Sequence, residues 1–261
     1  MTHSATVRGQ VGALARRSLL RTMRQPAQVV PALIFPMFLL AVNSSGLSDA
    51  TNLPGFPTDS YLTFALAIPF MQGALFSVMN AGTDLAGDIE TGFFNRLALT
   101  PLRGIALLGG MLAGVLGLGL IQATAYLIVG VAAGANFAAG VGGIAVIFAL
   151  SMTMALGFGA VGAFIALRTG SGEAVQGMFP LFFVFLFLSS MSLPRDLIQT
   201  DWFRQVATYN PVSYLIEGIR SLLITGWDAE ALALAFGVAL GVVVVGLASA
   251  SLALRTRLVR T

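Results

Sequence analysis

Long aliphatic runs recur along the chain, and the polar stretches between them carry nearly all of its charge. The runs fall at about 27–46, 61–81, 104–132, 141–167, 174–193 and 229–254. A helix needs about 20 apolar residues to cross a bilayer. The pattern therefore predicts six transmembrane helices in a single all-α domain over 1–261. Pro31 and Pro36 fall inside the first run, where a kink is tolerated. A cleaved signal peptide is the alternative for that run. Its length, its prolines and the lack of a following small-residue cleavage site speak against it.

Three polar segments are more than plain connectors. Residues 1–25 precede the first span. Within 7–25, Val7, Val11, Leu14, Ala15, Leu19 and Met23 share one side at helical spacing, and Arg17, Arg21 and Arg24 share the other. That pattern predicts an amphipathic helix on an anionic membrane surface; a plain basic flank is the alternative. In the 82–103 loop, Phe93, Phe94 and Leu97 can share a face, with Asn95 and Arg96 elsewhere and Pro101 ending the helix. Such a helix can fit a groove on a soluble partner, or be an ordinary solvated connector. The third segment, 194–228, holds Asn210 at an N-cap position and Pro211 in a first helical turn. Glu217 and Arg220, three apart, can pair on one face. Trp202, Tyr209, Tyr214 and Trp227 have the character of interfacial aromatics. A re-entrant helical pair before the last span accounts for these features, and an outer loop with incidental helicity is the alternative.

Composition narrows the class. Of 261 residues, 57% are hydrophobic and 10% charged, against about 25% charged in soluble domains. Mean hydropathy is +0.88. No cysteine is present, which excludes disulfides, thiol chemistry and cysteine-ligated metals. The one histidine, His3, carries no implied role. Every basic residue is arginine, so no phosphate-binding Walker loop, which needs a lysine, is present and the chain is not a P-loop ATPase. With the N-terminus inside, 11 of the 14 arginines lie on the inner side, leaving Arg195, Arg204 and Arg220 outside. Both termini are then cytoplasmic. Arginines beside spans explain the pI of 9.9 without nucleic acid as a partner.

Two motifs carry a family resemblance. One is Asp88-x-x-x-Gly92-x-x-x-Arg96-x-x-x-x-Pro101-x-Arg103, and the other is Asn210-Pro211-x-x-Tyr214-x-x-Glu217-x-x-Arg220. In register with six spans, and with Pro194 and Trp202 ahead of the second, they resemble the ABC-2 type transporter permeases, near the daunorubicin-resistance subgroup. That resemblance implies a bacterial inner (plasma) membrane exporter subunit, not itself an enzyme. It would dimerise, as a homodimer, and bind two copies of a separate ABC ATPase. The cofactors, ATP and Mg²⁺, would sit on that partner and none on this chain; membrane lipid is the other partner. Asp88, Glu90, Gly92, Phe93, Phe94, Arg96, Leu97, Pro101 and Arg103 would form the ATPase-coupling region, with the N-terminal helix beside it. Asn210, Pro211, Tyr214, Glu217 and Arg220 would form an outer gate. Spans 1, 2 and 5 would line the route. Phe179, Phe182, Phe183, Phe185 and Phe187 of span 5 line it or face lipid. The cargo implied is a hydrophobic or amphipathic drug, polyketide or lipid, with a polysaccharide or lipid-linked glycan as alternative.

Two other classes compete. Asn80-x-x-x-Asp84-x-x-x-Asp88 resembles the first acidic motif of UbiA-type prenyltransferases, where carboxylates hold Mg²⁺ on a diphosphate. No second such motif follows. An ion-coupled secondary transporter would carry an ionisable group near mid-membrane, and the predicted spans have none. Gly110 and Gly114, and Gly157, Gly159 and Gly162, are expected to allow close helix packing.

Overall fold

A computed structural model describes residues 7–98 and 104–260, and every regular element among them is helical. The helices are α1 (Val7–Met23), α2 (Pro26–Gly46), α3 (Tyr61–Ala65), α4 (Ala67–Glu90), α5 (Phe93–Ala98), α6 (Gly104–Ala132), α7 (Gly140–Thr169), α8 (Gly172–Phe187), α9 (Asp201–Tyr209), α10 (Pro211–Ile224) and α11 (Ala229–Arg260). Short 3₁₀ turns cover Ser48–Asn52 and Arg195–Leu197.

Five helical stretches among the described residues are long and apolar enough to cross a membrane: α2, α3 with α4, α6, α7 and α11. The sixth predicted run is only partly helical. α8 has 16 residues, about 24 Å at 1.5 Å per residue, short of the roughly 30 Å of a hydrocarbon core. Its helix stops at Phe187, and 188–193 are irregular. That irregular stretch is covered by protein: Ser189, Ser190 and Met191 are buried. Irregular backbone at membrane depth survives only when protein or water satisfies it.

α4 is the axle. In the apolar 18-residue segment of the Tyr61–Glu90 stretch 89% of residues are buried, against 17% in those of α2 and α11. α2, α6, α7, α8 and α10 pack around α4; α11 lies on α7 and α1 on α6. Interhelix bonds show that α4, α7 and α11 run from one end of the bundle to the other, and α2, α6 and α8 run back. At one end Gly172 N donates to Glu90 and Arg257 donates to the Leu167 carbonyl. At the opposite end Asn136 N donates to Thr63, and Arg220 reaches Phe64. These are named below the Asp88 end and the Arg220 end.

The glycines do permit close approach. A Cβ on Gly162 would stand 2.0 Å from the Val78 carbonyl oxygen of α4. Gly110 and Gly114 of α6 receive Leu14, and Ser18 with Thr22, of α1.

Two expectations need correction. The loop predicted from residue 82 begins later, because α4 continues to Glu90 and holds Asp84 and Asp88 on its last turns. Nor is the face α1 buries purely apolar, although Leu14 packs on the core as expected. Leu19 and Met23 are exposed, while Arg17 and Arg21 turn inward. Both differences have one cause. Two carboxylates on α4 and two guanidiniums on α1 neutralise each other, so the helix extends and α1 rotates to meet it.

Candidate functional site

At the Asp88 end, Asp88 is buried and accepts three hydrogen bonds from α1. Arg17 donates through Nη1 and Nη2 at 2.8 Å each, a bidentate fork, and Arg21 Nη1 adds a third bond at 2.8 Å. Arg21 Nε lies 3.2 Å from Asp84, and its Nη1 also donates to the Asp84 carbonyl. The hydrogen bond to Asp88 raises the Arg17 pKa above its ordinary value; burial acts the other way and loses. Arg17 therefore stays charged throughout any working pH. Its guanidinium also covers the Phe93 ring at 3.9 Å.

This places Asp88 on α4 rather than on the short helix that follows. Gly92, at φ +69°, turns the chain between them, a conformation suited to glycine. α5 then buries Phe94 in the core and leaves Arg96 exposed. Glu90 caps the start of α8 by accepting from Gly172 N at 3.0 Å. Leu97 lies on α5, its side chain outside the described residues, as are Pro101 and Arg103 altogether. With both acids engaged by arginine, Asn80, Asp84 and Asp88 offer no free carboxylate pair to a diphosphate-bound Mg²⁺. Among the described residues no group of three or more metal-ligating side chains converges.

At the Arg220 end, one face of α10 is fastened to the irregular end of α8. Asn210 caps α10 through Val212 N and donates to the carbonyls of Phe185 and Leu188. Ser213 Oγ accepts from Ser190 N at 3.1 Å. Glu217 accepts from Ser190 Oγ at 2.7 Å and from Arg195 at 2.5 Å. Arg220 donates to the carbonyls of Phe64, Ser190 and Met191 at 3.1, 3.0 and 3.0 Å and stacks over Phe64. The Glu217–Arg220 pair that the spacing allows is not among the described ion pairs: Glu217 meets Ser190 and Arg195, and Arg220 meets the carbonyls of Phe64, Ser190 and Met191. Pro211 occupies the first turn, and Tyr214 donates to the Thr208 carbonyl while Arg195 covers its ring. Trp202, Tyr209 and Trp227 are exposed, as interfacial aromatics would be.

Between the two ends runs a row of phenylalanines. Phe179 and Phe183 of α8 meet Phe76 of α4 and Phe35 of α2, with ring centroids 5.0 to 6.3 Å apart, and Phe187 continues the row. Phe182 packs on the core, whereas Phe185 points outward.

The sequence profile described as ABC-2 type transporter matches residues 9–224. The chain belongs to the ABC-2 type transporter family. It is thus a multi-pass membrane transport protein. The match runs from α1 through α10 and includes both end clusters. Among similar proteins, the daunorubicin resistance ABC transporter permease protein DrrB1 of Streptomyces coeruleorubidus is 26% identical over 79% of this chain and 72% of its own. A putative transport permease, ycf38, of Porphyra purpurea is 28% identical over 84% of this chain and 76% of its own.

Several residues of this ABC-2 permease escaped the sequence reading. Ser190 and Ser213 join the Arg220-end cluster; the sequence pattern puts Arg17 and Arg21 on the polar face of the N-terminal helix but does not pair them with Asp88. Ser213 stands three residues after Asn210 on the same helical face, a signal that the spacing did contain. Ser190 gave no such signal, because its role depends on α8 ending early.

Proposed function

We propose that this permease is the membrane subunit of an ATP-driven exporter, energised by a separate ABC ATPase. Two ATPase copies and two permease copies would form the working unit, in a bacterial inner membrane. The arginine bias supports an orientation with the Asp88 end and both termini in the cytoplasm. ATP and Mg²⁺ would be held by the ATPase.

One observation carries the reading: α5 is a six-residue helix anchored to the bundle at several points and presenting Arg96 outward. Phe94 is buried beneath it, Phe93 lies under Arg17, and Arg17 holds Asp88 on α4. A push on α5 would move α1 and α4 together, and Glu90 would pass it to the start of α8. The α8–α10 fastening would hold the outer side closed until α8 moves. The aromatic row supports a hydrophobic or amphipathic cargo, a drug, polyketide or lipid.

The test is reconstitution in liposomes with the cognate ATPase. ATP-dependent efflux of a lipophilic fluorescent dye is expected from the complex and none from the permease alone. Arg96→Glu, on an exposed position, should abolish co-purification of the ATPase while leaving the permease folded. Uphill transport by the permease alone, or an unaltered complex with Arg96→Glu, would sink the proposal.

A further inference from the structure

α2 carries Pro36 in its interior. Without an N–H, Pro36 leaves the carbonyl of Ala32 lacking its helical partner. Two side chains of α6 supply the missing donors. Tyr126 Oη donates to the Ala32 carbonyl oxygen at 2.8 Å and Gln122 Nε2 donates to the same oxygen at 3.1 Å. Ala32, Gln122 and Tyr126 are all buried. The carbonyl oxygen has two lone pairs, and both are used.

The rest of α2 is thinly held. Val30, Ile34, Phe38 and Val42 are exposed along one side. Phe35, next to the proline, is also exposed, but its ring meets Phe76 and Phe183 edge-on, at 6.3 and 6.1 Å. The break in α2 is thus pinned to α6 one residue from the ring that begins the aromatic row. Apolar contacts alone would let two helices slide; two directional bonds to one oxygen hold a register.

We propose that Gln122 and Tyr126 are positioning residues that clamp the Pro36 break of α2 to α6 and so set where Phe35 stands in the aromatic row. The functional consequence rests on the export reading above. α6 lies under α1, whose arginines hold the Asp88 end, so a displacement of α6 is passed to α2 at Ala32 and shifts Phe35 against Phe183.

The clamp is testable without transport. The chain has no cysteine, so spin labels can be placed singly. Phe38→Cys on α2 and Val244→Cys on α11 are both exposed positions. The full-length permease in lipid nanodiscs should show a narrow label-to-label distance distribution. Gln122→Leu with Tyr126→Phe should broaden it. Pro36→Ala in that background returns an N–H to the Ala32 carbonyl and should narrow it again. Tyr126→Phe alone, which removes one oxygen, should broaden it partly and guards against a double variant that fails to fold. An unchanged distribution in these variants, or no recovery with Pro36→Ala, would overturn the clamp. In the complex with ATPase, the double variant should lose about tenfold in efflux with ATP hydrolysis falling far less. Efflux absent from the unmodified complex would count against the export reading and leave the distance measurement to judge the clamp.

Discussion

Arg220 is the residue on which the Arg220 end turns. It is buried, and each of its three guanidinium nitrogens meets a different backbone carbonyl. A planar fork with five donors can serve several carbonyls at once; an ammonium cannot match that geometry. Arg220→Lys should therefore leave at least one carbonyl orphaned, at roughly 1–3 kcal/mol for each. A lower thermal midpoint in detergent is the expected readout, and an unchanged midpoint would refute the assignment. Spacing allowed Arg220 to take Glu217, three residues away. Spacing reports which side chains can meet, but not which competitors arrive from elsewhere in the chain. Asp88 shows the same limit. Its place in a motif was legible, but its partners on α1 were not, since they lie 71 and 67 positions away. Asp88→Ala should strand Arg17 and Arg21 and loosen α1. Faster amide hydrogen exchange over Val7–Met23 than in the parent checks this; unchanged exchange would mean that the glycine groove on α6 holds α1 alone.

Among the helices, α8 and α10 depend on one another. Asn210, Ser213, Glu217 and Arg220 fall on one face of α10 at intervals of three or four, and all four address residues 185–191. Asn210→Ala removes the α10 cap and the bonds to the carbonyls of Phe185 and Leu188 at the end of α8. A loss of about 2 kcal/mol follows from the cap and the exposed carbonyls together, measurable by chemical unfolding in micelles. Helix identity was legible almost everywhere because apolar runs of this length have no other stable form in lipid. Helix ends were not. α8 stopped short because α10 could satisfy its carbonyls, and α4 ran on because α1 could neutralise its acids. The glycines separate packing from propensity. Gly162→Ala drives a methyl against the Val78 carbonyl and should cost several kcal/mol, as overpacking does. Gly237→Ala in α11 meets nothing within 4 Å and should be neutral or gain roughly 0.5–1 kcal/mol from helix propensity. Comparing folded yield and midpoint for the two variants decides it.

For the molecule as a whole, orientation follows from charge and is open to direct measurement. Tyr209→Cys and Arg16→Cys lie at opposite ends on exposed positions of a cysteine-free chain. A membrane-impermeant maleimide added to intact cells should label the first and spare the second until the cells are broken. The reverse pattern would invert the export reading. Hydrophobic length and arginine distribution settled much from the residues alone: the helical class, the number of crossings to within one, and which segments stand apart from them. They could do so because lipid penalises every unpaired backbone group and every stray charge, and those penalties are local. Which arginine holds which carboxylate, where α8 ends and what completes the broken ladder of α2 depend on groups far apart in the chain. Their competition is resolved only when the helices pack, and no pattern confined to one segment can report it.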